Sequence, residues 1–413
     1  MPVDAQAAID MLKELRTLTA DENGAQRLAW SPVWLKARQW FQSKLRELPV
    51  EHHLDAAGNS WTTLAGASQK TLILGSHLDS VPNGGWLDGC LGVIAAFAVL
   101  RRIVEEHNGK PPVTIRLVDW ADEEGARFGR SLFGSSAFAG THSIDQDRVR
   151  TDAGGMRLED ALAACGVNID AVGDAGRERK NAAAYLELHI EQGPVLESMG
   201  IPFAAVLGTK GVERHAITFH GQEAHSGSTP MSARHDALAA AAKLALEIRT
   251  IAKRHADAVC TMGNVKTFPG IVTAVVGRCE VTLDQRDLDA EVLAAMFREA
   301  REKSVQFANE EGCTVEWSRI WNIEPVPFHP QLIELCEESI RETAGHSHRM
   351  PSGPLHDAAE VSRAGIPTVM LFVQSLNGIS HNKIEDTRED HLQVAITAFD
   401  KLASKTMDWI RAQ

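Results

Sequence analysis

Residues 71–80 read Thr-Leu-Ile-Leu-Gly-Ser-His-Leu-Asp-Ser, and the chain continues Val-Pro-Asn-Gly-Gly-Trp-Leu-Asp-Gly to Gly89. The apolar, β-prone run Thr71 to Leu74 predicts a buried strand that delivers His77 and Asp79 to its C-terminal end. Pro82-Asn83-Gly84-Gly85 then turns the backbone, and Leu91 to Glu106 resumes with helical, largely apolar spacing, so Asp88 stands just before a helix. Two side chains able to ligate a metal, His77 and Asp88, therefore meet at one edge of an open α/β sheet, where ligand sites usually lie. Taken alone, the same stretch equally suits a helix-capping Asp beside a surface His.

Outward from this stretch, further strand-like runs occur at Val113 to Trp120, Ala184 to Ile190 and Thr368 to Val373, with long helical stretches among them. That alternation predicts an α/β fold, a mostly parallel sheet covered by helices on both faces. Residues 1–45 carry apolar positions at helical spacing and predict two surface helices. From about Gly208 to Glu324 the pattern becomes strand (His215 to His220), helix (Met231 to His255), two strands (Ala258 to Phe268, Val272 to Gln285), helix (Ala290 to Asn309) and strand (Cys313 to Ile320). This βαββαβ order is ferredoxin-like and predicts a domain of residues 209–324 inserted into one formed by 1–208 and 325–413. The proline-rich run Pro325 to Pro330 reads as a stiff return linker.

A chain of 413 residues with 44% apolar and 23% charged content has material for two or three folded domains. The formal charge of -13 argues against nucleic-acid and anionic-membrane partners, which need a basic face. Met1 to Thr17 lacks an apolar signal core and no run is long enough to span a membrane, so a cytoplasmic protein is expected. The six cysteines are scattered without CxxC spacing, which predicts reduced thiols rather than a disulfide framework or structural zinc.

The remaining strand ends are also polar. Asp122-Glu123-Glu124 follows the strand ending at Trp120, His189 sits among apolar neighbours in Leu186 to Ile190, and His381 lies in the loop after Val373. Adjacent carboxylates repel unless a cation neutralises them, and neighbouring residues point differently, so one can ligate while the next faces a bound water. His77, Asp88, Glu124, His189 and His381 together supply three imidazoles and two carboxylates. One shared carboxylate with two further ligands on each side would hold two divalent ions, and this N/O set suits zinc, manganese, cobalt or nickel. Asp79, two residues from His77, is placed to orient its imidazole.

These segments carry a family resemblance. GSHLDSVPNGGWLDG, DEEGARF, LELHIEQGPVLE, GQEAHSGSTPM, TLDQRD, MPSGPLHDA and NGISHN, in order from about residue 20 to 405, resemble the hydantoinase/carbamoylase branch of the dinuclear-metal aminoacylase and carboxypeptidase superfamily. The resemblance implies a catalytic α/β domain with an inserted lid that also dimerises. It makes Asp88 the bridging carboxylate, with His77 and His189 on one ion and Glu124 and His381 on the other, and Glu123 the general base. It further implies that His225 stabilises the oxyanion from the partner subunit, that Arg286 grips the substrate carboxylate, and that Gln192 contacts its ureido or amide end.

Thr273 departs from the pattern, standing where the family usually has a substrate-contacting Asn. Its hydroxyl lacks the amide's paired donor and acceptor, so substrate recognition differs in detail. The expectation is a homodimeric amidohydrolase that cleaves the linear C–N bond of N-carbamoyl L-amino acids, small substrates with a carboxylate, giving amino acid, carbon dioxide and ammonia. Allantoate amidohydrolase and β-ureidopropionase activities are the alternatives, then an N-acyl amino acid hydrolase or dipeptidase, and last a catalytically silent metal-binding scaffold.

Overall fold

The computed structural model describes residues 2–413, which divide into one compact unit of residues up to 208 and from 328 onward and a second of residues 209–327. The first unit is built on one large sheet. Its strands run in the order Phe203–Thr209, Thr368–Val373, Ala182–Ile190, Thr71–His77, Thr114–Trp120, Ser60–Leu64, Glu51–Leu54, and Arg349–Ser352 also pairs with Phe203–Thr209. The four middle strands are mutually parallel, while the flanking strands Phe203–Thr209 and Ser60–Leu64 are antiparallel to their neighbours. All seven residues of Thr71–His77 are buried, as a strand covered on both faces requires, which is why it reads as a continuous apolar run.

Parallel pairing sends the four strand exits to one edge. Register fixes their levels: His77 pairs with Trp120, and Leu74 with Leu186, so His77 and His189 each stand three residues further along neighbouring strands. Phe372 pairs with His189, and the chain after Val373 carries His381. The helix Cys90–Glu106 packs on the sheet through fully buried Leu91, Val93, Ile94, Leu100 and Ile103. Each such aliphatic side chain contributes about 1.5–3 kcal/mol by leaving water. The helix Glu389–Ala412 also packs on the sheet, and Ala5–Thr19 packs against both helices.

Several elements differ from the sequence expectation. Glu51–Leu54 and Ser60–Leu64 add two antiparallel strands; the first is exposed at every position and so has no apolar signature. Residues 133–179 hold short helical segments around a separate small core that includes Trp30, Trp34, Phe133 and Leu162.

The second unit is a four-stranded antiparallel sheet, ordered Val259–Phe268, Arg278–Asp287, Gly211–His220, Thr314–Ile323, with helices Ala237–Ala252 and Ala290–Glu310 packed on it and on each other. Buried residues alternate with exposed or half-buried ones along Arg278–Asp287, the pattern of a sheet with one covered face. Its first helix starts at Ala237 rather than Met231, because the Asp236 carboxylate caps it by accepting the amides of Leu238 and Ala239 at 3.0 and 3.2 Å. The run Val272 to Gln285 is not one strand: Ala274–Val275 pairs with Ala224–His225, and the main strand begins at Arg278. Among the described residues no helix is long and apolar enough to cross a membrane, and all six cysteines are free thiols.

Candidate metal centre and active site

Seven of the residues singled out in the sequence gather around an eighth, Asp88. Its Oδ1 lies 3.2 Å from His189 Nε2 and 3.8 Å from His77 Nε2, and its Oδ2 lies 3.3 Å from His381 Nε2. His381 Nε2 is in turn 3.4 Å from Glu124 Oε2. Two donor groups result, His77–Asp88–His189 and Asp88–Glu124–His381, each with its ligand atoms within 4.8 Å of one another and Asp88 common to both. Glu123 stands beside the first group, its Oε2 3.7 Å from His77 Nε2. The Gln192 carboxamide donates to Asp88 Oδ2 at 2.9 Å.

The neighbours of these groups fix their orientation. His77 Nδ1 faces the Asp79 carbonyl oxygen at 3.2 Å and its carboxylate at 3.5 Å, and His189 Nδ1 faces the Ile190 carbonyl oxygen at 2.9 Å, so both rings turn Nε2 toward Asp88. The Asp79 carboxylate also accepts the amides of Glu123 and Glu124 at 3.2 and 3.1 Å, which clamps the acidic loop to the His77 strand. Fully buried Arg27 donates to the Leu78 carbonyl at 2.8 Å and holds the same turn from behind. Asp122, Gln192 and His381 all adopt positive φ, a conformation costly for these residues and concentrated at functional loops.

Gly89 is required for the approach of the Asp88 loop to His77. Its φ is +64°, and a Cβ there would lie 2.4–2.5 Å from three atoms of the imidazole. Gly89→Ala is therefore expected to push His77 off Asp88 and weaken metal uptake about 10- to 100-fold, checked by elemental analysis after equilibration with buffered metal.

The charge balance is that of a cation site. Burial drives Glu123 well above the usual carboxylate range against the opposing charge of His77, and burial together with the Asp88 charge pushes Glu124 up to about 8. Burial alone would lower His77, yet Glu123, Asp79 and Asp88 hold it well above its ordinary value. Contact with Asp88 lifts His381 to about 9. Four carboxylates thus crowd three imidazoles, and the buried His189 Nε2, although 3.2 Å from Asp88 Oδ1, makes no hydrogen bond of good geometry. Three imidazole nitrogens and two carboxylates disposed about a shared aspartate fit two divalent ions, and the absence of thiolates from the set fits catalysis better than a closed structural zinc.

Two buried residues without a sequence-assigned role also stand here. The His356 ring lies 4.4 Å from that of His189, and its buried Nε2 has no hydrogen-bond partner. Burial, with His189 close by, holds His356 well below its ordinary value and hence neutral. Glu385 accepts the amides of Leu87 and Asp88, both at 3.1 Å. His356 is the histidine of MPSGPLHDA, quoted for the resemblance without a role, and Glu385 has no signal beyond following NGISHN by three residues.

The other three candidates belong to the second unit. His225 pairs with Ala274, and the Ser226 amide donates to the Thr273 carbonyl at 3.0 Å, so His225 and Thr273 are neighbours. His225 Nδ1 accepts the Gly227 amide at 3.1 Å, leaving the ring proton on Nε2 of an exposed side chain. Arg286 lies elsewhere, held by Asp284 through Nε at 2.8 Å and Nη2 at 3.3 Å. Because His220 pairs with Arg278 and Val212 with Arg286, the eight-residue step from Arg278 to Arg286 runs about 27 Å along the strand, away from the end carrying His225.

Residues 73–405, which carry all eleven candidate residues, match the model of peptidase family M20/M25/M40. The chain belongs to that family. It is 35% identical over 390 residues to allantoate amidohydrolase of Escherichia coli (strain K12), covering 92% of this chain and 93% of that protein. It is also 35% identical over 370 residues to N-carbamoyl-L-amino acid amidohydrolase of Geobacillus stearothermophilus, covering 89% and 90%. Among solved structures, an amidase of the hydantoinase/carbamoylase family from Burkholderia phymatum superposes with a TM-score of 0.86 at 32% identity over 100% of both chains. The M20 assignment and the two donor groups sharing Asp88 agree on a dinuclear metal hydrolase.

Proposed function

We propose that this M20 protein hydrolyses the linear C–N bond of N-carbamoyl L-amino acids with two divalent ions held by His77, Asp88, Glu124, His189 and His381. The observation that carries this reading is the single Asp88 carboxylate facing both donor groups, with the unligated Glu123 carboxylate beside them. When bound, such ions polarise a carbonyl and lower the pKa of water.

The chain's own residues supply the rest. Glu123 Oε2 takes the proton of the attacking water and delivers it to the leaving nitrogen, a two-way transfer that its buried position beside the first donor group allows. Asp79 holds the backbone of Glu123 in place through its amide. Gln192 contacts the ureido end, Arg286 pairs bidentately with the substrate carboxylate, and Thr273 lies on the recognition surface. His225 Nε2–H donates to the developing oxyanion. Since His225 lies in the small strand pair beyond the His220 end of the four-stranded sheet and Arg286 lies far along that sheet from Arg278, a small substrate meets both only if two copies of the chain contribute, which supports a homodimer.

Allantoate is the second candidate substrate, because the E. coli allantoate enzyme is as similar in sequence as the carbamoyl amino acid enzyme. The test is ammonia or amine release from N-carbamoyl-L-amino acids, allantoate, 3-ureidopropionate, N-acyl amino acids and dipeptides after stripping and reloading with zinc, manganese, cobalt or nickel. Metal-dependent release from N-carbamoyl amino acids is expected. Release from allantoate alone would reassign the substrate, and release confined to dipeptides would overturn the ureido reading.

A further inference from the structure

The two donor groups are not built alike. His77 and His189 are fully buried on adjacent parallel strands, and each ring's Nδ1 faces a backbone carbonyl. His381 has 51% of its side chain exposed and sits at φ +53° in a loop. The sheet preorganises the first group, whereas the second depends on whatever ties the His381 loop to Asp88.

The Gln192 carboxamide bridges their side chains, lying 2.9 Å from Asp88 Oδ2, 3.2 Å from Ser380 Oγ and 3.3 Å from His381 Nε2, and Glu385 ties the loop to the backbone of Asp88. Glu385 is buried, and its Oε1 accepts the backbone amides of Leu87 and of Asp88 itself. Its Oε2 accepts the hydroxyl of Ser380, the residue before His381, at 2.8 Å, and that hydroxyl also lies 3.1 Å from Asp88 Oδ2. The two loops close on this carboxylate so tightly that a Cβ on Gly85 would lie 2.0 Å from its Oε1. One side chain thus joins the backbone of the shared ligand to the loop of the ligand unique to the second group. Both of its oxygens are already engaged by N–H and O–H donors, so it serves as a clip and not as a sixth ligand.

We propose that Glu385 is a positioning residue that sets the affinity of the Glu124–His381 side of the centre and leaves the His77–His189 side largely untouched. This rests on the metal-centre reading above.

The test is metal stoichiometry and affinity of the stripped full-length protein titrated with zinc or cobalt, read by elemental analysis and calorimetry, with the melting temperature of the metal-free protein as the fold control. Wild type is expected to take two ions. Glu385→Ala should keep one at wild-type affinity and bind the other at least about tenfold more weakly. Glu385→Gln should restore the second ion, because its amide oxygen still accepts the Leu87 and Asp88 amides. Ser380→Ala, which removes only a hydroxyl, should weaken the same ion by a smaller factor and carries the test if Glu385→Ala does not fold. Two ions at wild-type affinity in a folded Glu385→Ala or Ser380→Ala protein, or equal weakening of both, would overturn the clip. A wild-type protein that takes up no ions would overturn the metal-centre reading itself, and the clip with it.

Discussion

Glu123→Gln is expected to lower kcat by about 10³- to 10⁴-fold while both metal ions stay bound. The separation of effects follows from position. Glu123 belongs to neither three-residue donor group, yet its Oε2 lies 3.7 Å from His77 Nε2, on the edge of the first. Its backbone is fixed through the Asp79 carboxylate, and its side chain is buried, so an isosteric amide should occupy the same volume without disturbing Glu124 next door. What the amide cannot do is accept a proton from water and return it to nitrogen. Measuring kcat and bound metal on the same preparation checks both halves. Undiminished turnover would remove Glu123 from the base role, and parallel loss of metal and activity would make it a ligand. A wild-type protein inactive on every ureido, acyl and peptide substrate would instead favour the silent scaffold.

The sequence disclosed the parallel core because burial on both faces leaves an uninterrupted apolar run, as at Thr71–His77 and Thr368–Val373. It did not disclose Glu51–Leu54, whose four exposed residues belong in a strand only because Ser60–Leu64 offers them an antiparallel partner. The helical segments between 133 and 179 were hidden for another reason. They are short, and their core is completed by Trp30 and Trp34, about a hundred residues upstream, so no local periodicity announces it. The break between Ala274–Val275 and Arg278–Asp287 was masked because both pieces are individually β-prone, and Gly277 alone marks the turn.

For the site, His and acidic residues at strand exits were legible because parallel strands expose one common edge, and chemistry placed there is accessible. Which of them would meet required register: only the alignment of Leu74 with Leu186 puts His77 level with His189. Supporting residues were harder to see. Arg27 belongs to none of the motifs quoted above, yet it is fully buried against the Leu78 carbonyl. Glu385 reads as one acid in a charged loop, although three donors converge on it. A residue that acts by holding backbone has no composition signature, because its partners are amides common to every sequence.

Mixing Glu123→Gln protein with His225→Ala protein under conditions that allow subunit exchange is expected to raise activity from near zero to about a quarter of wild type. The geometry of residues 209–327 motivates this. His225 lies beyond the His220 end of the sheet, paired with Ala274, while Arg286 pairs with Val212 about 27 Å along the strand from Arg278. A substrate of amino-acid size, held at its carboxylate by one chain's Arg286, lies beyond reach of that chain's His225. On the reading proposed above, the exposed Nε2–H of a second copy would serve the oxyanion. In a mixed dimer one centre combines intact Glu123 from the His225→Ala chain with intact His225 from the Glu123→Gln chain, and the other centre carries both defects. Random pairing makes half the dimers mixed, each with one working centre of two, which gives the quarter. If His225 acted within its own chain, no combination would assemble a complete centre and mixing would yield nothing above the two parents. Activity regained in proportion to the mixed-dimer fraction, followed by titrating one variant into the other, would establish sharing across the dimer.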